Sequence, residues 1–226
     1  MNLAPHLDHT LLKPDCTPDQ IRLLCQEARE YQFASVCVPP CYVALAAQEL
    51  NGTAVAVGTV IGFPLGYQDT RVKYREAEIA IEAGATELDM VLNLAWLKAG
   101  LVGQVEEEIE DLADLARVHD TLLKVIIETA LLTETEIVQA AQLCVEAGAS
   151  FVKTSTGFAN RGASVADVEL LRANLPATMR IKASGGIRTR AAALALLAAG
   201  ADRIGSSNSV ALLREDDQIA DETASV

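Results

Sequence analysis

Aromatic residues are scarce in this chain, at 4% of 226 residues, although half of the residues are hydrophobic. The mean hydropathy of +0.23 comes from Ala, Val, Leu and Ile spread along the sequence. Nowhere do about 18 apolar residues run without interruption, so a transmembrane helix is excluded. Positive charge is also in short supply. Lys and Arg number 18 against 31 Asp and Glu, a formal charge of −13. That balance argues against nucleic acid or an anionic membrane as the main partner. It leaves open a small phosphorylated substrate, which senses only local charge. No charged-then-apolar leader opens the sequence, so a secretory signal is not expected.

Cysteine is sparse and odd in number: Cys16, Cys25, Cys37, Cys41 and Cys144. The lone C-x3-C of Cys37 and Cys41 has no nearby His, so no zinc site is expected. Free thiols in a reducing cytosol are the simpler reading. A chain of this length with this apolar content can bury a core without disulfides. It has no Pro/Ser-rich linker and no low-complexity segment, which points to a single domain, residues 1–214. An acidic tail, residues 215–226, is expected to fray.

Short apolar runs alternate with helical stretches. Eight strands are predicted: Leu7–Leu11, Ala34–Val38, Ala54–Ile61, Glu87–Asn93, Leu123–Glu128, Phe151–Ser155, Arg180–Ser184 and Asp202–Gly205. Thr17-Pro18-Asp19-Gln20 and Thr133-Glu134-Thr135-Glu136 read as capping boxes, and Ser164 and Thr189 as further N-caps. Three Ala-Gly-Ala triplets, centred on Gly84, Gly148 and Gly200, read as helix ends, where Gly takes the left-handed conformation. Strict β/α alternation predicts a parallel sheet. Eight units fit a closed (β/α)8 barrel near its lower size limit. An open doubly wound sheet is the alternative, but no G-x-G-x-x-G follows the first strand.

Strand parity carries the functional argument, because successive side chains point to opposite faces. Leu88, Met90 and Leu92 share one face, and Glu87, Asp89, Val91 and Asn93 the other. Likewise Lys124, Ile126 and Glu128 oppose Val125 and Ile127. Phe151, Lys153 and Ser155 oppose Val152 and Thr154, and Arg180, Lys182 and Ser184 oppose Ile181 and Ala183. The apolar set suits the helices, which puts charge inside the barrel, where it costs several kcal/mol per ion unless paired. Lys124, Lys153 and Lys182 recur 29 residues apart, one per unit. Lys124, at a strand start, reads as a neutraliser of an interior carboxylate. Lys153 and Lys182 lie close to strand C-termini, where barrel enzymes work. A buried Lys beside a second cation has a lowered pKa, and its neutral amine can attack a carbonyl to form a Schiff base. Asp89, inward on an earlier strand, could then move protons.

The turns after the last strands suggest an anion site. Gly185-Gly186 follows Lys182, Gly205-Ser206-Ser207 ends the eighth strand, and Thr156-Gly157 follows Lys153. Glycine lets backbone N–H groups approach an anion, and barrels often place phosphate after strands seven and eight. Two other readings stay open at this level: a phosphate-binding barrel isomerase or synthase without a covalent intermediate, and a non-catalytic phosphate-binding barrel.

Several segments together resemble one family. Val152-Lys153-Thr154-Ser155-Thr156-Gly157-Phe158 is similar to the Schiff-base strand of the deoxyribose-phosphate aldolases. Leu7-Asp8-His9-Thr10-Leu11-Leu12-Lys13, Gly62-Phe63-Pro64-Leu65-Gly66, Glu87-Leu88-Asp89-Met90-Val91, Leu123-Lys124-Val125-Ile126-Ile127-Glu128-Thr129 and Ile181-Lys182-Ala183-Ser184-Gly185-Gly186-Ile187-Arg188 resemble other segments of it. The resemblance spans Leu7 to Val210. It implies a class I aldolase that reversibly cleaves 2-deoxy-D-ribose 5-phosphate to D-glyceraldehyde 3-phosphate and acetaldehyde. By resemblance Lys153 carries the imine, Lys182 keeps it neutral and Asp89 shuttles protons through water. Gly157, Gly185, Gly186, Gly205, Ser206 and Ser207 hold the phosphate. The resemblance also implies no metal or organic cofactor, a cytoplasmic homodimer or homotetramer, and a place in deoxynucleotide catabolism. The chain departs from some members in two ways: it has no Tyr near its C-terminus, and Phe158 stands where they have Lys.

Overall fold

Eight parallel strands close into a barrel in sequence order, β1 pairing with both β2 and β8. The computed structural model describes residues 2–213; the predicted acidic tail lies outside them. The strands are β1 (Leu7–Thr10), β2 (Ser35–Val38), β3 (Ala56–Ile61), β4 (Glu87–Val91), β5 (Leu122–Ile126), β6 (Phe151–Lys153), β7 (Arg180–Ser184) and β8 (Arg203–Ser206). The helices are α1 (Pro18–Tyr31), α2 (Val43–Glu49), α3 (Thr70–Glu82), α4 (Leu94–Lys98), α5 (Val102–Val118), α6 (Glu134–Glu146), α7 (Val165–Asn174) and α8 (Arg190–Ala198). No helix among the described residues is long and apolar enough to cross a membrane.

Local sequence sets where the helices begin. Thr17 and Thr133 form complete capping boxes with Gln20 and Glu136, and Ser164 and Thr189 accept from Asp167 and Ala192 N–H groups. Each cap satisfies backbone donors that the first helical turn leaves open. Gly84, Gly148 and Gly200 follow α3, α6 and α8 with φ of +103°, +79° and +110°. On α1, Ile21, Leu24, Cys25 and Ala28 recur at helical spacing and are buried. They belong to the apolar layer between sheet and helices that also holds Leu88, Met90, Val125, Ile127, Val152, Ile181 and Ala183 around the barrel. Burying each large aliphatic side chain there contributes about 1.5–3 kcal/mol.

The seventh strand has its predicted bounds, Arg180–Ser184, and the other seven differ by one or two residues at one or both ends. β6 stops at Lys153 rather than Ser155, and β4 at Val91 rather than Asn93. At β6 the reason is that side chains take over the ladder. Ser184 N–H donates to Thr154 Oγ1 at 3.1 Å, and the Ser184 hydroxyl to the Ser155 carbonyl at 2.6 Å. At β4 the Asn93 side chain leaves the sheet to cap α4, accepting from Trp96 N–H. β8 begins at Arg203 because the Asp202 carboxylate bonds back to Ile181 N–H at 2.8 Å.

Candidate active site

The barrel interior is ionic at its centre. Register places Asp89 beside Lys124, Lys153 beside Lys182 and Lys182 beside Arg203. Their inward side chains join Asp8 of β1 and Glu87 of β4 in one buried cluster. Lys124 Nζ lies 2.7 Å from both Glu87 Oε2 and Asp89 Oδ1. Lys182 Nζ lies 2.5 Å from Asp8 Oδ2 and 2.7 Å from Asp89 Oδ2. Arg203 bridges Asp8 at 2.8 Å and Glu87 at 2.5 Å. Among the described residues, Lys153 Nζ has a single carboxylate contact, Asp89 Oδ2 at 2.7 Å, and shares that oxygen with Lys182.

Four cations therefore face three carboxylates. Lys124 has Glu87 to itself among the lysines, Lys182 has Asp8, and Lys153 has only a share of Asp89. The electrostatics follow this division. Burial works against every charge here, yet Asp8 and Asp89 with their neighbours hold the Lys182 ammonium above its ordinary value, and Asp89 with Glu87 does the same for Lys124. Lys153 goes the other way: burial lowers it, Asp89 offsets part of that loss, and the Lys182 charge lowers it further. Asp89 is desolvated, but the three lysines hold its carboxyl well below the usual range. The amine that is easiest to deprotonate is thus Lys153.

A cavity of about 340 Å3 opens above the cluster. It is lined by Lys153 and Lys182 and by all six residues of the glycine- and serine-rich turns singled out in the sequence: Gly157, Gly185, Gly186, Gly205, Ser206 and Ser207. Asp89 lies beneath, fully buried. Two glycines have steric reasons to be there. A Cβ on Gly205 would stand 3.2 Å from Lys182 Cε and 2.9 Å from Ser184 Cβ, so its absence makes room for the lysine stem. Gly185, at φ +87°, packs so closely on Gly157 and Gly162 that a Cβ would come within 3.3 Å of both Cα atoms. The turns after β6 and β7 thereby meet backbone to backbone. Phe158 lies at the mouth with its ring edge-on to Phe63, centroids 5.3 Å apart.

Sequence reasoning gave no role to Asp8, Glu87 or Arg203, which complete the charge cluster. It also passed over Lys13 and Arg188, two further cations lining the cavity. Parity on β1, with Asp8 and Thr10 sharing a face, was the available signal. The Lys124 reading matches the geometry, although Lys124 sits mid-strand in the cluster rather than at a quiet end. Among the described residues, no three His, Cys, Asp or Glu side chains are grouped to hold a metal ion.

A closed parallel barrel with buried lysines under a C-terminal cavity defines the class of barrel aldolases, and the comparisons place the chain within it. Residues 4–216 match the family model described as DeoC/LacD family aldolase. The deoxyribose-phosphate aldolase of Thermoanaerobacter sp. (strain X514) is 51% identical over 216 residues, 95% of this chain and 97% of the relative. That of Clostridium novyi (strain NT) is 50% identical over 213 residues, 94% and 96% respectively. The tetrameric structure of deoxyribose phosphate aldolase from Aeropyrum pernix superposes with a TM-score of 0.89 at 36% identity, covering 96% of this chain and 92% of that one. The chain belongs to the DeoC/LacD aldolases, in their deoxyribose-phosphate aldolase branch of aldehyde-lyases.

Proposed function

We propose that this chain is a class I aldolase that reversibly cleaves 2-deoxy-D-ribose 5-phosphate to D-glyceraldehyde 3-phosphate and acetaldehyde through an imine on Lys153. The observation that carries this reading is the division of charge in the barrel: Lys153 is the lysine of the cluster without a carboxylate of its own, and it lines the cavity. In the synthetic direction its neutral amine adds to the acetaldehyde carbonyl, and loss of water gives the iminium. The iminium draws electrons from the adjacent C–H bond, a proton leaves the methyl carbon, and an enamine forms. That carbon attacks the aldehyde of glyceraldehyde 3-phosphate, and water then hydrolyses the new imine.

Lys182 keeps the amine available by its charge, and is itself held protonated by Asp8 and Asp89. Asp89, with a water, shuttles protons. Both its oxygens are engaged in the free enzyme. Conversion of Lys153 to an iminium leaves that nitrogen one hydrogen in place of three, which loosens Oδ2 for a relay. The phosphate sits against the Gly157, Gly185–Gly186 and Gly205–Ser207 turns, with Lys13 and Arg188 adding charge. A homo-oligomer is part of the same reading, as in the Aeropyrum pernix relative.

The test is chemical. Incubation with acetaldehyde, borohydride reduction and mass mapping should place one ethyl group on Lys153. An unmodified protein would refute the covalent mechanism, and an ethyl group on Lys182 would reverse the two lysine roles.

A further inference from the structure

The end of β5 holds a carboxylate that the aldol chemistry does not use. Glu128 is 3% exposed and takes φ +51°, in the left-handed region that residues other than glycine rarely adopt. Its Oε2 accepts the Thr156 N–H at 3.2 Å and also the Thr156 hydroxyl. Its Oε1 is buried without a hydrogen-bond partner among the described residues. Having given its hydrogen to Glu128, Thr156 Oγ1 accepts the Phe158 N–H at 3.0 Å. A chain of hydrogen bonds thus runs from Glu128 through the Thr156 hydroxyl to the backbone on both sides of Gly157, which turns at φ +88°.

The neighbouring residue extends the hold. Thr129 N–H donates to the Thr154 carbonyl at 2.9 Å, and its hydroxyl to Asp167 of α7 at 2.9 Å. Arg161 returns from the same loop to the Thr129 carbonyl at 2.9 Å. The loop from β6 to α7 is therefore tied to the end of β5 on one side and seated on Gly185 on the other. Of the N–H groups of residues 156, 157 and 158, the outer two are engaged, and that of Gly157 makes no hydrogen bond among the described residues. A neutral acceptor could receive the two Thr156 donors. A carboxylate makes those bonds roughly twice as strong, at the cost of burying a group that has no cation partner among the described residues.

We infer that Glu128 is a positioning residue for substrate phosphate: it fixes the Thr156–Gly157–Phe158 turn and leaves the Gly157 N–H for an oxygen of the ligand. The inference rests on the phosphate site of the proposed function. Glu128 touches neither Lys153 nor its carboxylates, so it should act on binding of the phosphorylated end and not on imine chemistry.

The experiment uses the full chain with Glu128→Gln, Thr156→Val and Thr156→Ser. In Glu128→Gln, KM for 2-deoxyribose 5-phosphate should rise about tenfold while kcat/KM for unphosphorylated 2-deoxyribose stays within about twofold, as weakening of one charge-assisted hydrogen bond would give. Acetaldehyde trapping should be unchanged. Thr156→Val should reproduce the selective loss and Thr156→Ser should avoid it. The double variant with Thr156→Val should be no worse than the more affected single one, because the two groups act through each other. Equal losses on both substrates, or additive losses in the double variant, would overturn the inference. Should the wild-type chain trap no acetaldehyde, the proposed chemistry fails on its own account, and inorganic phosphate then reads Glu128. Phosphate affinity by calorimetry that is weaker in Glu128→Gln keeps the inference, and equal affinity overturns it.

Discussion

The protein buries lysines in two places, and they have opposite surroundings. Lys73 of α3 is fully buried outside the barrel, 2.8 Å from Glu108 of α5 and 2.9 Å from the Val91 carbonyl. Glu108 in turn accepts the Asn93 N–H, and Glu76 accepts that of Gly62. Here one cation meets one main carboxylate, and both side chains are fully buried. Burial outweighs the pairing for both partners, lowering Lys73 and raising Glu108. Inside the barrel four cations meet three carboxylates, and the least provided for, Lys153, opens onto a cavity. Lys73 and Lys153 are both pushed down in pKa, so a depressed lysine does not by itself mark a nucleophile. What separates them is access and an unequal count of charges. The Lys73 pair fastens the ends of β3 and β4 to α3 and α5; the Lys153 cluster leaves one amine easy to deprotonate.

The largest effect is expected at Lys153. Lys153→Ala should abolish the trapped acetaldehyde adduct while the far-ultraviolet circular dichroism stays native. Lys73→Met should do the reverse, costing about 3–5 kcal/mol in urea unfolding by leaving Glu108 buried and unpaired, with trapping on Lys153 retained. Adding Glu108→Leu to Lys73→Met should recover most of that loss, because an apolar pair can replace a buried ion pair.

Lys182→Leu removes a cation from the cluster and leaves Asp8 and Asp89 less compensated. Both effects raise the Lys153 pKa. The variant should lose on the order of 10²-fold in rate at neutral pH, and the deficit should shrink as pH rises. A deficit that is flat across pH would mean that Lys182 acts otherwise. Acid stability tests the carboxylates. Asp8 and Asp89 lie below their ordinary 3.8 in the folded protein, so their contribution is present above that pH and is lost as pH falls through their folded values. The urea midpoint should therefore fall on acidification below about pH 4, and fall less in a variant carrying both Asp89→Asn and Lys124→Met.

The smallest effect is expected at the turn after β7, where the proposed function seats the substrate phosphate. Gly186, at φ +74° with open space where a Cβ would lie, can be replaced by Asn, which tolerates that conformation. Gly186→Asn should raise KM for the phosphorylated sugar about tenfold and leave the unphosphorylated one within about twofold, the loss of one hydrogen bond. Equal effects on both would assign the turn to structure alone.

Much of this was legible in the sequence, because a barrel strand displays its chemistry through alternation. Asp89, Lys153 and Lys182 follow from parity alone, and the capping boxes at Thr17 and Thr133 from four-residue signatures. The end of β6 was not legible, because side-chain hydroxyls replace the ladder at Thr154 and Ser155. The Asp8–Arg203 bridge joins residues 195 apart and exists only because the barrel closes. Lys73 and Glu108 were hidden for another reason. Each lies within a buried helical stripe, Glu108 between Val105 and Ile109, where a charged residue reads as surface until its partner is placed opposite it.

Among the lysines of the barrel cluster, Lys153 is the one without a carboxylate of its own and the one whose amine is held low. Competitive reductive labelling with acetaldehyde and borohydride between pH 6 and pH 10.5, mapped lysine by lysine, measures this directly. Lys153 should reach half-maximal labelling at a lower pH than an added free lysine peptide, whose ordinary value is near 10.4, while Lys124 and Lys182 stay unlabelled throughout. Labelling of Lys153 that follows the free peptide, or that appears first on Lys182, would overturn this assignment.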